Sequence, residues 1–203
     1  MVAKVFLTHQ IITLSKLYRV TLITNLKNQK DLLNWVPNNV EIIDIPIVRE
    51  INLLTDLKAL FLLFKFFYIN EFSLVHSVSP KAGLLCMVAS FFSKIPVRLH
   101  TFTGQVWKNK YGLEKFLLKK VDCFIHYLST LVLIDSHSQK YFLITNKVIN
   151  QKKNIVLGAG SICGVNLARF SPDRVKRKKI RMNLGVSENH TVFLFLGRIK
   201  KEK

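Results

Sequence analysis

The chain has 203 residues, 49% of them hydrophobic, so it can form one large domain, or one domain and part of another, and is not a disordered tail. Lys and Arg outnumber Asp and Glu by 31 to 12, and this formal charge of +19 favours a polyanionic partner such as nucleic acid, an anionic membrane face or a phosphate-bearing substrate. No CxxC pair or zinc-type cluster occurs, which argues against a structural zinc site and predicts free thiols at Cys86, Cys123 and Cys163.

No signal peptide is predicted, because residues 1–10 are mixed in character and lack a small-residue cleavage site. The most hydrophobic stretch, residues 51–69, is interrupted by Asp56, Lys58 and Lys65. A spanning helix needs about 20 mostly uncharged residues. The stretch is therefore predicted to be a buried or interfacial helix.

Apolar runs typical of strands alternate with helical segments along the chain. After an opening helix, strands are predicted at 19–25, 39–47, 72–78, 96–102, 130–136 and 153–160, and helices at 51–69, 80–94, 111–129 and 137–145. Pro80 is predicted in the first turn of the second of these helices and Ser136 as the cap of the last. The apolar residues of 111–129 are spaced three or four apart, which predicts a single apolar face. Continuous apolar strands separated by helices indicate a parallel sheet covered on both faces. The fold class is predicted as α/β, a Rossmann-like doubly wound parallel sheet, in which ligands bind at the carboxyl ends of the strands.

The candidate binding residues lie at those predicted strand ends. A histidine at the tip of a buried strand, His100, is either held by backbone hydrogen bonds or faces a cleft, whereas the structural role is favoured for His76. Glycines there leave room for the backbone to approach a ligand or a facing domain. The candidate cleft-loop residues are Thr101, Thr103, Gly104, Gly158, Gly160 and Gly164.

Several other classes of site lack their motifs. The "GAG" at 158–160 is not a GxGxxG fingerprint in a βαβ setting, so NAD is not predicted, and no Walker lysine motif occurs. No hydrolase-type carboxylate pair stands out among the 12 acidic residues, and no metal site is predicted.

The carboxy-terminal part is predicted to begin a second domain. Residues 174–186 are a strongly basic helix, for which a solvated linker is favoured over a nucleic-acid patch. A strand at 191–196 follows, and is predicted to be the first strand of that domain. The domains are predicted at 1–173 and 174–203.

Five segments in order resemble GT-B fold glycosyltransferases of the family 4 type, above all those of bacterial capsule and O-antigen assembly. The segments are "VHSVSPKAGLL" (75–85), "PVRLHTFTGQVW" (96–107), "LVLIDSHSQKYFL" (131–143), "VLGAGSICGVNLARFSPD" (156–173) and "VFLFLGRIKKEK" (192–203). The resemblance implies two Rossmann-like domains across a cleft, an amino-terminal one for the acceptor and a carboxy-terminal one for the donor. The chain then corresponds to the acceptor domain without its opening strand, plus the start of a truncated donor domain.

The resemblance also implies roles for three residues. His100 is expected to be the catalytic-cleft residue, forming hydrogen bonds to the donor sugar or the nearby backbone and not acting as a nucleophile. Arg198 and Lys203 match the cations that hold the donor diphosphate, and fixed cations there stabilise the charge that grows on the leaving group. A solvated loop end is the alternative for this pair. The donor substrate is a nucleotide-diphosphate sugar, with no metal and no other cofactor expected.

A basic and aromatic segment opens the helix predicted at 111–129. Trp107, Lys108, Lys110 and Lys115 suit the surface of an anionic bilayer, where lipid-linked acceptors are also reached. A core helix with a solvated face is an equal alternative. The chain is accordingly expected at the cytoplasmic face of the membrane, as a peripheral protein.

The predicted function is a glycosyltransferase, or its amino-terminal fragment, that transfers a sugar from a nucleotide-diphosphate sugar to a lipid-linked or polysaccharide acceptor in bacterial surface-polysaccharide biosynthesis. The chain alone is expected to be inactive, because the resemblance leaves out most of the donor domain. The alternative is a non-catalytic remnant or interaction module with the same fold. Nucleic-acid binding is not expected, since no nucleic-acid motif accompanies the charge.

Overall fold

The computed structural model describes residues 3–27, 34–48 and 50–197. The chain divides into two compact units, unit 1 over Met1–Gly164 and unit 2 over Val165–Lys203.

Unit 1 alternates strands and helices. A π-helical segment, Ala3–Leu7, leads into α1 (Thr8–Leu14), and a 3-10 segment spans Val106–Asn109. The strands are β1 (Thr21–Thr24), β2 (Glu41–Asp44), β3 (Leu74–Val78), β4 (Val97–Phe102), β5 (Leu131–Ile134) and β6 (Asn154–Ile155). The longer helices are α2 (Leu53–Ile69), α3 (Pro80–Phe92), α4 (Gly112–Leu128) and α5 (His137–Thr145). Each corresponds to a predicted element; α5 has the predicted bounds and the others are shorter.

Every strand pair in the described residues is parallel, which confirms the α/β class and the Rossmann-like arrangement. One sheet has the order β3-β4-β5-β6, and β1 pairs with β2 in another. No ladder within the described ranges joins the two sheets. In a doubly wound sheet, one further strand lies between a two-stranded part such as β1-β2 and the rest of the sheet. No strand in the described residues occupies that position.

Local signals set the helix starts. The Asn52 side chain accepts a hydrogen bond from the Thr55 backbone N–H at the start of α2, and Ser136 accepts one from Gln139 at the start of α5. These bonds satisfy backbone donors that the first helical turn leaves without partners. Pro80 occupies the first turn of α3, where its missing N–H costs nothing. The Ser136 cap and the Pro80 start are both confirmed.

The core of unit 1 lies between the sheet and a layer of helices. Helix α3 contacts both α2 and α4, so the three lie side by side. Their inward side chains join those of the strands in one cluster that includes Leu63, Met87, Ile125, Val132 and Leu143. Burial of this apolar surface is the main stabilising term of the fold.

The apolar residues of α4 divide between two faces, which differs from the single apolar face predicted. Ile125 and Leu128 are buried, while Leu113, Phe116, Leu117 and Phe124 are exposed. A polar contact explains which side of α4 faces inward: the buried carboxylate of Asp122 lies on that side and accepts a hydrogen bond from Trp107. Spacing identified the helix, but the partners on the sheet side decided which residues it buries.

Unit 2 contains α6 (Arg174–Asn183), whose first turn is capped by Asp173 through a bond from the Lys176 N–H. This is the predicted basic helix. The strand predicted at 191–196 is wrong for the described residues, which assign no strand there. A strand requires a ladder partner, and the described part of unit 2 has none, so its apolar side chains, such as Phe193, remain exposed.

Candidate functional site

A small cavity lies at the carboxyl edge of the four-stranded sheet. Its lining includes Thr101 near the end of β4, Asp135 just after β5, and the loop residues Gly160 and Ser161. Gln10, from α1, completes it. The cavity of about 30 Å³ holds one or two water molecules and is too small for a sugar. We call the residues that line this cavity at the sheet edge the strand-end wall.

Asp135 holds the glycine-rich loop against this edge. Its backbone oxygen accepts a hydrogen bond of 2.6 Å from the Ser161 N–H, and its Oδ1 accepts one of 2.6 Å from the Ile162 N–H. The Gln10 amide donates to the Ile162 carbonyl at 2.7 Å. The loop is thus fixed from two directions.

Gly160 is the glycine that this close approach requires. A Cβ there would lie 2.5 Å from the backbone oxygen of Asp135, and its φ of +103° disfavours other residues as well. The sequence predicts that glycines in this loop admit a close backbone approach. The neighbour at Gly160 is the domain's own Asp135.

His100 lies inside β4, because the strand continues to Phe102. Its side chain is 1% exposed, and its Nδ1 lies 2.8 Å from the Ser77 hydroxyl on the neighbouring strand. Helix α3 closes over the ring at Gly83, where a Cβ would lie 2.5 Å from His100 Cε1. The ring therefore offers no open face to a sugar in this conformation.

His76 pairs with the next residue of β4 on the opposite side of the sheet. Its Nε2 lies 2.7 Å from the Thr101 hydroxyl, which links the histidine to the wall of the cavity. Burial lowers the pKa of His76 to about 4. Burial, and then the charge of His76, lowers the pKa of His100 to about 3. Both rings are therefore neutral at pH 7.

Trp107 is a correction: it does not face a membrane or solvent. It is 1% exposed, its Nε1 donates a 2.7 Å hydrogen bond to Asp122 Oδ2, and its ring stacks on Phe142 with centroids 5.3 Å apart. Burial raises the pKa of Asp122 to about 6, and the bond from Trp107 opposes this rise. An aromatic beside lysines suggested an interface, but the indole fills the gap between α4 and α5.

The three lysines grouped with Trp107 have separate surroundings. Lys108 is exposed, with Nζ 5.7 Å from the Phe142 ring centroid. Lys110 forms an ion pair of 2.9 Å with Glu114. Lys115 is half-buried. The segment is therefore not a single membrane-facing surface built around Trp107.

The remaining predicted residues are not drawn together. Thr103, Gly104, Gly158 and Gly164 lie on the loops after β4 and β6, and none lines the cavity. Arg198 and Lys203 lie outside the described residues. Sequence reasoning did not assign Gln10, Ser161 or Ile162 to the site. The 152 residues between Gln10 and Ile162 leave no local signal that they meet.

No group of three or more His, Cys, Asp or Glu side chains among the described residues is arranged to hold a metal ion. No helix in the described ranges is long and apolar enough to cross a membrane.

The parallel strands and flanking helices define a Rossmann-like α/β domain. CapM of Staphylococcus aureus, a capsular polysaccharide biosynthesis glycosyltransferase, is 31% identical over 159 residues, which are 78% of this chain and 41% of that protein. An Escherichia coli UDP-Gal:alpha-D-GlcNAc-diphosphoundecaprenol alpha-1,3-galactosyltransferase is 26% identical over 179 residues, 87% of this chain and 45% of that protein. No protein-family model matches the chain.

The chain is therefore a homologue of bacterial glycosyltransferases of surface-polysaccharide biosynthesis, which confirms the resemblance stated from its motifs. It spans less than half the length of these two relatives.

Proposed function

We propose that this chain is the acceptor-side part of a glycosyltransferase that transfers a sugar from a nucleotide-diphosphate sugar to a lipid-linked or polysaccharide acceptor in bacterial surface-polysaccharide biosynthesis. The similarity to two glycosyltransferases over 78% and 87% of the chain carries the proposal. The name of the second relative gives UDP-Gal as its donor and a GlcNAc-diphosphoundecaprenol as its acceptor.

The strand-end wall supports the acceptor assignment. Ligands of parallel α/β sheets bind outside the carboxyl ends of the strands. Ser161 contributes an exposed hydroxyl group to this edge, and the loop held by Asp135 is fixed before a ligand arrives. Polar groups that are already in position reduce the ordering cost of binding.

For the donor side, Arg198 and Lys203 are proposed to hold the diphosphate, as the motif resemblance implies. For His100, we propose a positioning role in place of direct sugar contact, because the ring is enclosed by Ser77 and Gly83. Its bond to Ser77 and the parallel bond between His76 and Thr101 fix β3 against β4 beneath the wall.

A lipid-linked acceptor places the reaction at a membrane surface. We therefore propose peripheral association with the cytoplasmic membrane face, where nucleotide sugars are present, and no nucleic-acid partner. The net charge of +19 supports attraction to an anionic leaflet.

The test is an acceptor-binding measurement on residues 1–203. Ligand-observed NMR with a short-chain GlcNAc-diphosphoprenol should report binding, and the same prenol diphosphate without the sugar should bind more weakly. Incubation of this acceptor with a panel of UDP-sugars should form no product. Equal signals with and without the sugar would contradict the acceptor assignment, and turnover would contradict the expectation that donor-side residues outside this chain are required.

A further inference from the structure

Two helices of unit 1 carry apolar faces that no other described element covers. On α2, buried Ala59, Leu63 and Phe67 form the inward stripe. The opposite stripe at helical spacing is exposed and consists mainly of large apolar side chains: Leu54 (80% exposed), Leu57, Phe61 and Tyr68 (75% exposed). Soluble surfaces carry single apolar residues commonly, but a continuous stripe indicates an interaction site.

Helix α4 repeats this arrangement. Its inward face holds Asp122 and Ile125, and its outward face carries Leu113, Phe116, Leu117, Phe124 and Tyr127. Each helix has 17 residues, a length of about 25 Å at 1.5 Å per residue. Each outward stripe therefore runs along its whole helix.

The two stripes lie on the same side of unit 1. Helix α3 packs against α2 on one flank and α4 on the other, so the three form one layer. Because the inward stripes of α2 and α4 both join the core cluster, their outward stripes point away from the sheet together. We call the outward residues of α2 and α4 the α2–α4 face.

The charges of the α2–α4 face are basic. Lys58, Lys65 and Lys120 are exposed among its apolar residues, and Lys120 Nζ lies 5.4 Å from the Phe116 ring centroid. The carboxylates of the two helices are engaged: Asp56 is ion-paired with Lys81 at 2.6 Å, Glu114 with Lys110 at 2.9 Å, and Asp122 is buried. A face that is apolar and basic complements an anionic surface.

A bilayer fits this face better than a second copy of the chain. In a two-fold dimer the same patch meets itself, so Lys58 and Lys65 would approach the lysines of the other copy. An anionic leaflet instead places phosphate beside the lysines and acyl chains beside the apolar stripe. Helices lying in the interface plane bury such a face about 5–10 Å deep.

We propose that the α2–α4 face docks unit 1 onto an anionic membrane with α2 and α4 parallel to the bilayer plane. The proposal deepens the proposed function and rests on it, since it names the surface that brings the strand-end wall to a lipid-linked acceptor. It replaces the surface that the sequence assigned around Trp107.

The experiment compares vesicle binding by 1–203 and its variants. Vesicles of phosphatidylcholine with 30% phosphatidylglycerol are sedimented beside vesicles of phosphatidylcholine alone. The unchanged chain should bind the anionic vesicles at least about tenfold more strongly, and 0.5 M NaCl should weaken that binding because it screens surface charge. Equal binding to both vesicle types would overturn the proposal.

Two variants locate the face. Phe61→Gln with Phe116→Gln removes apolar contacts from both helices, and Lys58→Gln with Lys65→Gln removes charge alone. The first should lower binding by about tenfold or more, because burial of apolar area in the bilayer contributes to binding. The second should lower it by about fivefold or more, because each lysine near an anionic leaflet adds to the attraction. The matched control, Tyr18→Gln with Lys152→Gln, changes an exposed aromatic and a lysine elsewhere and should bind as the unchanged chain does.

Unchanged binding by both test variants, or an equal loss in the control, would contradict the α2–α4 face. A dimer in light scattering that the Phe61 and Phe116 changes abolish would assign the face to a second copy instead and overturn the proposal. Circular dichroism shows whether each variant is folded. The lysine variant changes only exposed side chains, so it still tests the face if the phenylalanine variant does not fold. Binding of the short-chain acceptor in detergent is measured in parallel, so that loss of docking and failure of the proposed function give different results.

Discussion

At the residue scale, the buried pair of Trp107 and Asp122 joins the loop after β4 to α4. A buried carboxyl with a pKa near 6 would be costly without a donor, and the indole N–H supplies it. Lys119 Nζ also lies 5.9 Å from the Trp107 ring centroid. The tryptophan is therefore a structural residue.

Trp107→Phe removes this donor and is expected to lower the free energy of unfolding by about 1–3 kcal/mol. Urea denaturation at pH 7 measures the change. Trp35→Phe serves as the matched control, because the Trp35 indole N–H has no hydrogen-bond partner among the described residues. If the two substitutions cost the same, the bond to Asp122 does not contribute as argued.

The two neutral histidines predict that the free energy of unfolding depends on pH. An unfolded histidine binds its proton near pH 6.5, whereas folded His76 and His100 do so near 4 and 3. Below pH 6.5 the unfolded state therefore binds more protons, and these groups make stability fall as pH falls. Asp122 acts in the opposite direction between pH 3.8 and about 6, since its folded pKa is raised.

His76→Gln isolates one of these contributions, because the amide can still pair with Thr101 but does not titrate. From pH 7 to pH 5, the unfolding free energy of the unchanged chain should fall by on the order of 1 kcal/mol more than that of this variant. Urea midpoints at several pH values measure it. A difference that stays constant with pH would refute the assignment of a neutral, buried His76.

At the element scale, α3 sits close enough to β4 that only a glycine fits between them. Gly83 is helical, so an exposed Gly at such a position would gain about 0.5–1 kcal/mol on replacement by Ala. Here the added Cβ would lie 2.5 Å from His100 Cε1 and 2.8 Å from its Nδ1. The steric clash of an added Cβ with His100 therefore outweighs the gain in helix propensity that alanine would bring.

Gly83→Ala is expected to destabilise unit 1 by about 1–3 kcal/mol, the usual cost of overpacking a core. In a His100→Ala background the same change should be neutral or stabilising, because the ring that it meets is gone. Chemical denaturation of the four chains of this cycle gives the coupling. Additive costs would show that the helix does not press on His100.

At the scale of the whole molecule, the two units differ in how much they bury. Unit 1 contains two buried apolar clusters, whereas in α6 of unit 2 only Arg181 is buried, donating a hydrogen bond to the His190 carbonyl. Local stability follows the amount of buried contact. Unit 2 is therefore expected to open far more readily than unit 1.

Hydrogen exchange tests this difference. The amides of α6 should exchange about 100-fold faster or more than the central amides of α3, because opening of α6 exposes little apolar surface. Mass spectrometry of peptides from the two helices gives both rates in one experiment. Similar protection in both would contradict the difference in packing.

The sequence by itself determined the α/β class, the order of elements, the Ser136 cap and the relationship to glycosyltransferases, because periodicity, caps and motifs are local properties of the chain. Only the tertiary structure decided that Trp107 is enclosed, that His100 is covered at Gly83, and that Gln10 reaches the glycine-rich loop. It also decided which side of α4 is buried. These outcomes depend on contacts between residues far apart in the chain, and spacing along one helix or strand cannot say which partner will cover which face.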